Sequence, residues 1–137
     1  MTPEQITLIR TSFAKVAPDA DKAAALFYSL LFEADPSVKP LFPENMEEQG
    51  AKLMKMIGTA VNNLDNLDTL VPVLQDLGRR HVDYGVKDEH YATVGSCLLV
   101  TLGKGLGDDF TPATKEAWTA AYGVMADVMT AAANEVA

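Results

Sequence analysis

Two polar side chains stand where the spacing of their neighbours calls for apolar ones. In Leu70-Val-Pro-Val-Leu-Gln-Asp-Leu-Gly-Arg-Arg-His81, residues Leu70, Leu74, Leu77 and His81 are separated by 4, 3 and 4 positions. At about 100° per residue they occupy a stripe about 60° wide on one helix face. His81 therefore takes the place of an apolar residue on a buried face, and no Asp, Glu or Cys shares that face to pair with it. Two readings are open. One is a core histidine hydrogen-bonded to a backbone carbonyl, and the other is a single axial ligand to a group large enough to separate two helices. An earlier segment repeats the pattern, with Gln49, Leu53, Met56 and Ala60 at the same 4, 3, 4 spacing. An imidazole and an amide, each ending an apolar stripe, suggest two walls of one pocket.

The elements that must position these residues are helical. Thr2-Pro3-Glu4-Gln5 supplies a cap, a proline at the first helical position and the Gln of a capping box. Ile6, Ile9, Phe13 and Val16 follow at helical spacing until Pro18. A second helix is predicted from Asp19 or Asp21, with Leu26, Phe27, Leu30 and Leu31 along it and Tyr28 at least partly inside. Pro36, Pro40 and Pro43 then enforce a corner, in which Phe42 is a large aromatic expected to bury itself. A third helix is predicted from about Glu47 to Leu64. Asn66 or Asp68 is available to cap the helix that bears His81, and Tyr84-Gly85-Val86 breaks it. Asp88 is expected to cap the next helix, which carries Tyr91, Val94, Leu98, Leu99 and Leu102, with His90 exposed in its first turn.

The segment Gly103-Lys-Gly-Leu-Gly-Asp-Asp is expected to end that helix. It does not read as a phosphate cradle, because no strand precedes it and two aspartates follow. Thr111-Pro112 starts a last helix with Trp118, Tyr122, Met125 and Met129. Met54, Met56, Met125 and Met129 read as core fillers. No alternating strand pattern occurs. The expected fold class is all-α, one domain over residues 1–137, with six main helices and one or two short ones.

Composition narrows the function. The 137 residues are 48 % hydrophobic and 22 % charged, ordinary for a globular domain with a real core. The net charge of −8 argues against binding nucleic acid or anionic lipid. The single cysteine, Cys97, has no partner for an internal disulfide and reads as a small buried thiol. No apolar run approaches the length of about 18 residues that a membrane helix needs. The opening Met-Thr-Pro-Glu-Gln reads as a helix start and not as a signal peptide, so a cytoplasmic protein is expected.

Taken in order, Leu26-Phe-Tyr-Ser-Leu-Leu-Phe32, Pro40-Leu-Phe42, Gln49, Leu77-Gly-Arg-Arg-His81, His90-Tyr-Ala-Thr-Val-Gly95 and Ala117-Trp-Thr-Ala-Ala-Tyr-Gly123 resemble the globins, and within them the single-domain bacterial globins related to flavohaemoglobins and neuroglobin. The resemblance spans nearly the whole chain. It implies a globin fold with haem b between the distal and proximal helices and His81 as the proximal iron ligand, its other ring nitrogen donating to a backbone carbonyl. It implies that Phe42 packs flat on the porphyrin and that Leu53, Leu77, Val86 and Val94 form dry apolar walls. Lys52, at the rim, reaches a propionate on this reading, or is an ordinary solvated lysine.

On the distal side the resemblance assigns the chemistry to Tyr28 and Gln49. A phenol O–H and an amide N–H aimed at bound oxygen contribute roughly 1.5–3 kcal/mol each, which implies high affinity. Gln is a poor iron ligand, so a vacant or water-bound sixth site is expected, unlike neuroglobin. The proximal side departs from flavohaemoglobins, where a tyrosine and a glutamate hydrogen-bond the histidine. Tyr91 matches the tyrosine, but Ala133 aligns with the glutamate, and Glu135 lies roughly 200° around the helix. The globin is expected to act without a flavin or nicotinamide domain of its own. The first functional expectation is reversible oxygen binding for storage, transport or scavenging, by a monomer or weak dimer. The second is nitric oxide dioxygenase or nitrite reductase activity supported by a separate reductase. A redox or gas sensor and a cofactor-free helical bundle are the remaining readings.

Overall fold

A computed structural model describes residues 1–42 and 45–136. The chain forms six α-helices, α1 (Pro3–Val16), α2 (Ala20–Ala34), α3 (Met46–Asn62), α4 (Leu67–Asp83), α5 (Asp88–Leu106) and α6 (Pro112–Val136). Three short 3-10 segments, Ala17–Asp19, Pro36–Leu41 and Gly107–Asp109, join them, and no strand occurs among the described residues. No described helix is long and apolar enough to cross a membrane.

Local chemistry accounts for most of the boundaries. Thr2 Oγ1 accepts the Gln5 N–H and Gln5 Oε1 accepts the Thr2 N–H, both at 3.1 Å, closing the expected capping box. Pro18 ends α1 in a 3-10 turn. The proline-rich corner forms through Pro36–Leu41, with Asp35 Oδ1 accepting the Ser37 N–H at 3.1 Å; Pro43 lies outside the described residues. Asn45 caps α3 by accepting the Glu48 N–H at 3.2 Å, and Thr111 caps α6 by accepting the Thr114 N–H at 3.2 Å.

Several expectations need correction. Asn66 occupies the N-cap position of α4 but makes no capping side-chain bond. α3 stops at Asn62, two residues before Leu64, because the Asn63 side chain turns back to donate to the Thr59 carbonyl at 2.8 Å. α5 runs through Gly103 and Gly105 to Leu106 and ends only at Gly107, whose φ of 56° suits a residue without a Cβ. Asp88 is the first residue of α5, not its cap. The Lys87 N–H is satisfied instead by His90 Nδ1 at 2.9 Å, which draws that ring inward. His90 is only 9 % exposed, against the expectation of an exposed side chain, and its Nε2 lies 3.8 Å from Asp35 Oδ2.

The main core gathers Ile9, Leu70, Leu74, Leu102, Ala117 and Trp118. Each fully buried Leu or Ile contributes about 1.5–3 kcal/mol. The buried indole N–H of Trp118 donates to Ser12 Oγ at 2.8 Å, tying α6 to α1. Met129 is buried in this core, and Met54, Met56 and Met125 pack against it, as expected. Glycine permits the closest helix contacts. The backbone of Gly78 on α4 lies against the main chain of Met129 on α6, and Gly50 on α3 lies against Ala24 on α2.

The packing is largely between helices distant in sequence. α3 packs on α1 and α2, and α4 packs along α6, but α3 and α4 do not pack along each other. Both contribute to the main core, α3 through Ala60 and Val61, the following turn through Leu64, and α4 through Leu70 and Leu74. From there both stripes lose burial. Ala60 is buried and Met56, Leu53 and Gln49 are half-buried; Leu70 and Leu74 are buried and Leu77 and His81 are half-buried. Burial thus falls along both helices toward the ends that carry the amide and the imidazole.

Candidate functional site

His81 lies in the last turn of α4. Its Nδ1 donates to the Leu77 carbonyl oxygen, 2.7 Å away and one turn back, which places the proton on that nitrogen. Nε2 has no hydrogen-bond partner among the described residues. Burial pushes the imidazole pKa below its ordinary value and the bond to Leu77 only partly offsets this, so the ring is held neutral. A neutral imidazole with one nitrogen anchored and the other free is a ligand ready to bind a metal. No group of three or more His, Cys, Asp or Glu among the described residues could hold a bare metal ion. A metal at His81 must therefore arrive with most of its ligands already on it.

Leu77 and Val86 pack against the main core, which includes Tyr91, whose ring centroid lies 6.2 Å from the imidazole at 26°. Tyr91 is buried, and its hydroxyl has no partner among the described residues. Burial and the nearby Asp88 raise its pKa. The Tyr91 carbonyl accepts the Tyr122 hydroxyl at 2.6 Å, which fixes the backbone below the ring. Ala133 is buried, whereas Glu135 faces solvent 3.7 Å from Arg79. Glu135 therefore takes no part here, as its helix angle indicated.

Tyr28 lies in a second cluster with Phe27, Leu31, Val38 and Cys97, against which Phe42, Leu53 and Val94 pack. It is 6 % exposed, more deeply inside than its position on α2 required. Its ring meets Phe42 edge-on at 5.3 Å and stacks with Phe32 at 6.0 Å. Burial raises the phenol pKa, and a hydrogen bond with the Gln49 side chain lowers it by less. The phenol thus stays protonated, with the Gln49 amide on α3 as its polar neighbour. Val94 and Tyr91, one turn apart on α5, join the Tyr28 and His81 clusters respectively, so α5 floors the space between them.

The expected residues thus fall into two groups, Tyr28, Phe42, Leu53 and Val94 in one and His81 with Tyr91 in the other, and two polar side chains join neither. Lys52 is exposed and lies 3.7 Å from Glu48, one turn away on α3. His90 points to Asp35 and not to His81. Two aromatics given no site role from the sequence lie against these residues. Phe32, four residues after Tyr28, stacks on it, and Tyr84, three residues after His81, lies 5.6 Å from the imidazole. Helical spacing carried both signals, but Tyr84 precedes a glycine and reads as part of a helix break.

The residues fit haem. A single neutral imidazole with a free nitrogen, an unpartnered phenol beside it and two helices that do not close on each other suit a flat, largely apolar macrocycle that brings its own metal. An all-helical chain with these features on α3 and α4 falls among the helical haem proteins, and it belongs to the globin family, whose sequence profile matches residues 25–129. It is a haem-binding globin of the bacterial, flavohaemoglobin-like branch. It is 33 % identical over 131 residues to a flavohemoprotein of Rhodopirellula baltica, covering 93 % of this chain and 32 % of that one. A flavohemoprotein of Bacillus subtilis is 31 % identical over 125 residues, covering 89 % and 31 %. The chain thus spans about one third of the length of these relatives. The structure of a bacterial globin from Campylobacter jejuni superposes with a TM-score of 0.86 at 30 % identity, covering 98 % of both chains.

Proposed function

We propose that this chain, a single domain over residues 1–137, binds haem b and reversibly holds oxygen for storage or transport, with high affinity. Bound haem supplies a ferrous iron that takes a diatomic ligand. The observation that carries the reading is the His81 ring, with Nδ1 committed to Leu77 at 2.7 Å and Nε2 free, on a helix that does not pack on α3. In this reading His81 is the sole protein ligand to the metal, and Tyr91 backs its ring. Phe42, Leu53, Leu77, Val86 and Val94 exclude water from the cofactor. Tyr28 and Gln49 donate hydrogen bonds to the diatomic ligand. Lys52, if it leaves Glu48, reaches a propionate. We place the protein in the cytoplasm as a monomer or weak dimer, without nucleic-acid or membrane partners.

A second reading, nitric oxide dioxygenation or nitrite reduction with a separate reductase, draws on the flavohemoprotein relatives, which are about three times as long. Against it stands Ala133, a methyl group at the position aligned with the proximal glutamate, which leaves the Leu77 carbonyl as the acceptor for His81. A neutral carbonyl acceptor makes the imidazole a weaker electron donor than a carboxylate does.

The test is an absorption spectrum of purified protein given hemin, then dithionite, then air. The storage reading expects a five-coordinate ferrous spectrum that converts in air to a long-lived oxygenated one. Rapid oxidation in air and multiple turnovers with an added reductase support the enzymatic reading. Failure to take up haem overturns both.

A further inference from the structure

We infer that Tyr84 is a positioning residue, which holds the His81 imidazole in one orientation and shields its hydrogen bond to Leu77 from water. The inference rests on the haem reading for its consequence but on this chain's own geometry for its argument. Tyr84 follows the last residue of α4, and its N–H still donates to the Arg80 carbonyl at 3.1 Å, as a helical residue would. Three residues on from His81, its side chain comes back over the same helix face. The two ring centroids are 5.6 Å apart with the planes at 51°. Tyr84 is nevertheless 52 % exposed. A large aromatic that leaves half its surface in water, and spends part of the rest on a single imidazole, serves that imidazole more than the core.

The backbone around it is built to keep the ring there. Gly85 has φ of 89°, a conformation strained for any residue with a Cβ, and its N–H donates to the Val82 carbonyl at 3.0 Å. Val86 N–H then donates to the carbonyl of His81 itself at 2.9 Å. The turn after α4 is therefore tied to the backbone of the residue whose ring Tyr84 contacts. Tyr91, the other ring beside His81, is buried and held from below by Tyr122. Tyr84 is the aromatic on the solvent side. Without it, water reaches the imidazole and competes with Leu77 for Nδ1–H, and the ring loses a wall against rotation.

The experiment compares haem-loaded wild type with Tyr84→Phe, Tyr84→Leu and Tyr84→Ala. The readouts are haem loss to an excess of an acceptor protein and the iron–histidine stretching band of the ferrous form in resonance Raman. We expect Tyr84→Ala to speed haem loss about tenfold, the lower end of what outer partners of a metal-bound histidine contribute, and to shift or broaden the stretching band. Tyr84→Phe, which keeps the ring, restores both. An unchanged band with haem loss within twofold of wild type overturns the inference, as does a lower melting temperature alone. Failure of Tyr84→Phe to restore the band also overturns it, since the hydroxyl and not the ring then matters. If Tyr84→Ala does not fold, Tyr84→Leu decides, because it lacks a planar ring but keeps apolar cover. Should the wild type take up no haem, the functional reading fails, and the clamp is read on the haem-free chain by NMR. Faster solvent exchange of the His81 Nδ1–H in Tyr84→Ala supports it there, and equal rates overturn it.

Discussion

The backbone of Gly78 on α4 touches the carbonyl of Met129 on α6 so closely that a methyl group on Gly78 would overlap it. This contact sets how near α4 approaches α6, three residues before His81. We predict that Gly78→Ala destabilises the fold by about 1–3 kcal/mol or more, because the added methyl meets main chain and α4 has to shift as a unit. Gly50→Ala, where a Cβ would come 3.0 Å from the Ala24 Cβ, is expected to cost less. Urea unfolding of the two variants ranks the effects. Haem loss from Gly78→Ala reports whether displacing α4 also displaces His81, and an equal ranking of the two glycines would show that the α4–α6 contact is not the tighter one.

The pairing of Tyr28 with Gln49 makes a prediction about oxygen release. Each is proposed as a hydrogen-bond donor worth about 1.5–3 kcal/mol to a polarised ligand. Tyr28→Phe and Gln49→Leu should therefore each speed oxygen dissociation about ten- to a hundredfold. Because the two side chains are polar neighbours, the double variant should fall short of the product of the single effects. Stopped-flow release of oxygen from the reduced protein checks this. A Tyr28→Phe rate equal to wild type removes Tyr28 from the ligand site. The aromatic packing of Phe42 and Phe32 on the retained ring keeps that comparison free of a packing defect.

Alkaline stability follows from three buried phenols. Burial raises the pKa of Tyr28, Tyr91 and Tyr122 above the ordinary value of 10.0. The unfolded chain therefore loses these protons at lower pH than the folded chain does. Above about pH 10 the unfolded state binds fewer protons, so stability falls as pH rises, and it is fully retained below the unfolded pKa. We predict that the urea midpoint is flat from about pH 8 to 9 and drops steeply between about 10 and 11. Tyrosinate absorbance should rise together with the loss of helical circular dichroism. Tyr122→Phe, which removes one of the three phenols, should flatten the slope even though it also loses the bond to the Tyr91 carbonyl.

Where a residue's role depended on neighbours three or four positions away, the sequence was readable. The Thr2–Gln5 capping box, the six helices, the inward turn of Tyr28 and the stripes ending in Gln49 and His81 all follow from helical period and local capping. The bond from His81 Nδ1 to Leu77 belongs to this class too, since both groups lie on one helix a turn apart. Boundaries were less legible where a side chain chose an unusual local partner. Asn63 cut α3 short, and α5 began one residue early, with Lys87 at the N-cap and its N–H donated to His90 Nδ1.

The sequence by itself determined an all-helical chain, the faces its helices bury and the two polar residues placed on those faces, because helix period and side-chain polarity are properties of a single segment. Only the tertiary structure decided that α3 and α4 do not pack along each other, that Tyr28 lies near Gln49 and that His90 is buried against Asp35. Those outcomes depend on how far apart two backbones stand. That distance is set by contacts such as Gly78 on Met129, made between segments that no local pattern relates.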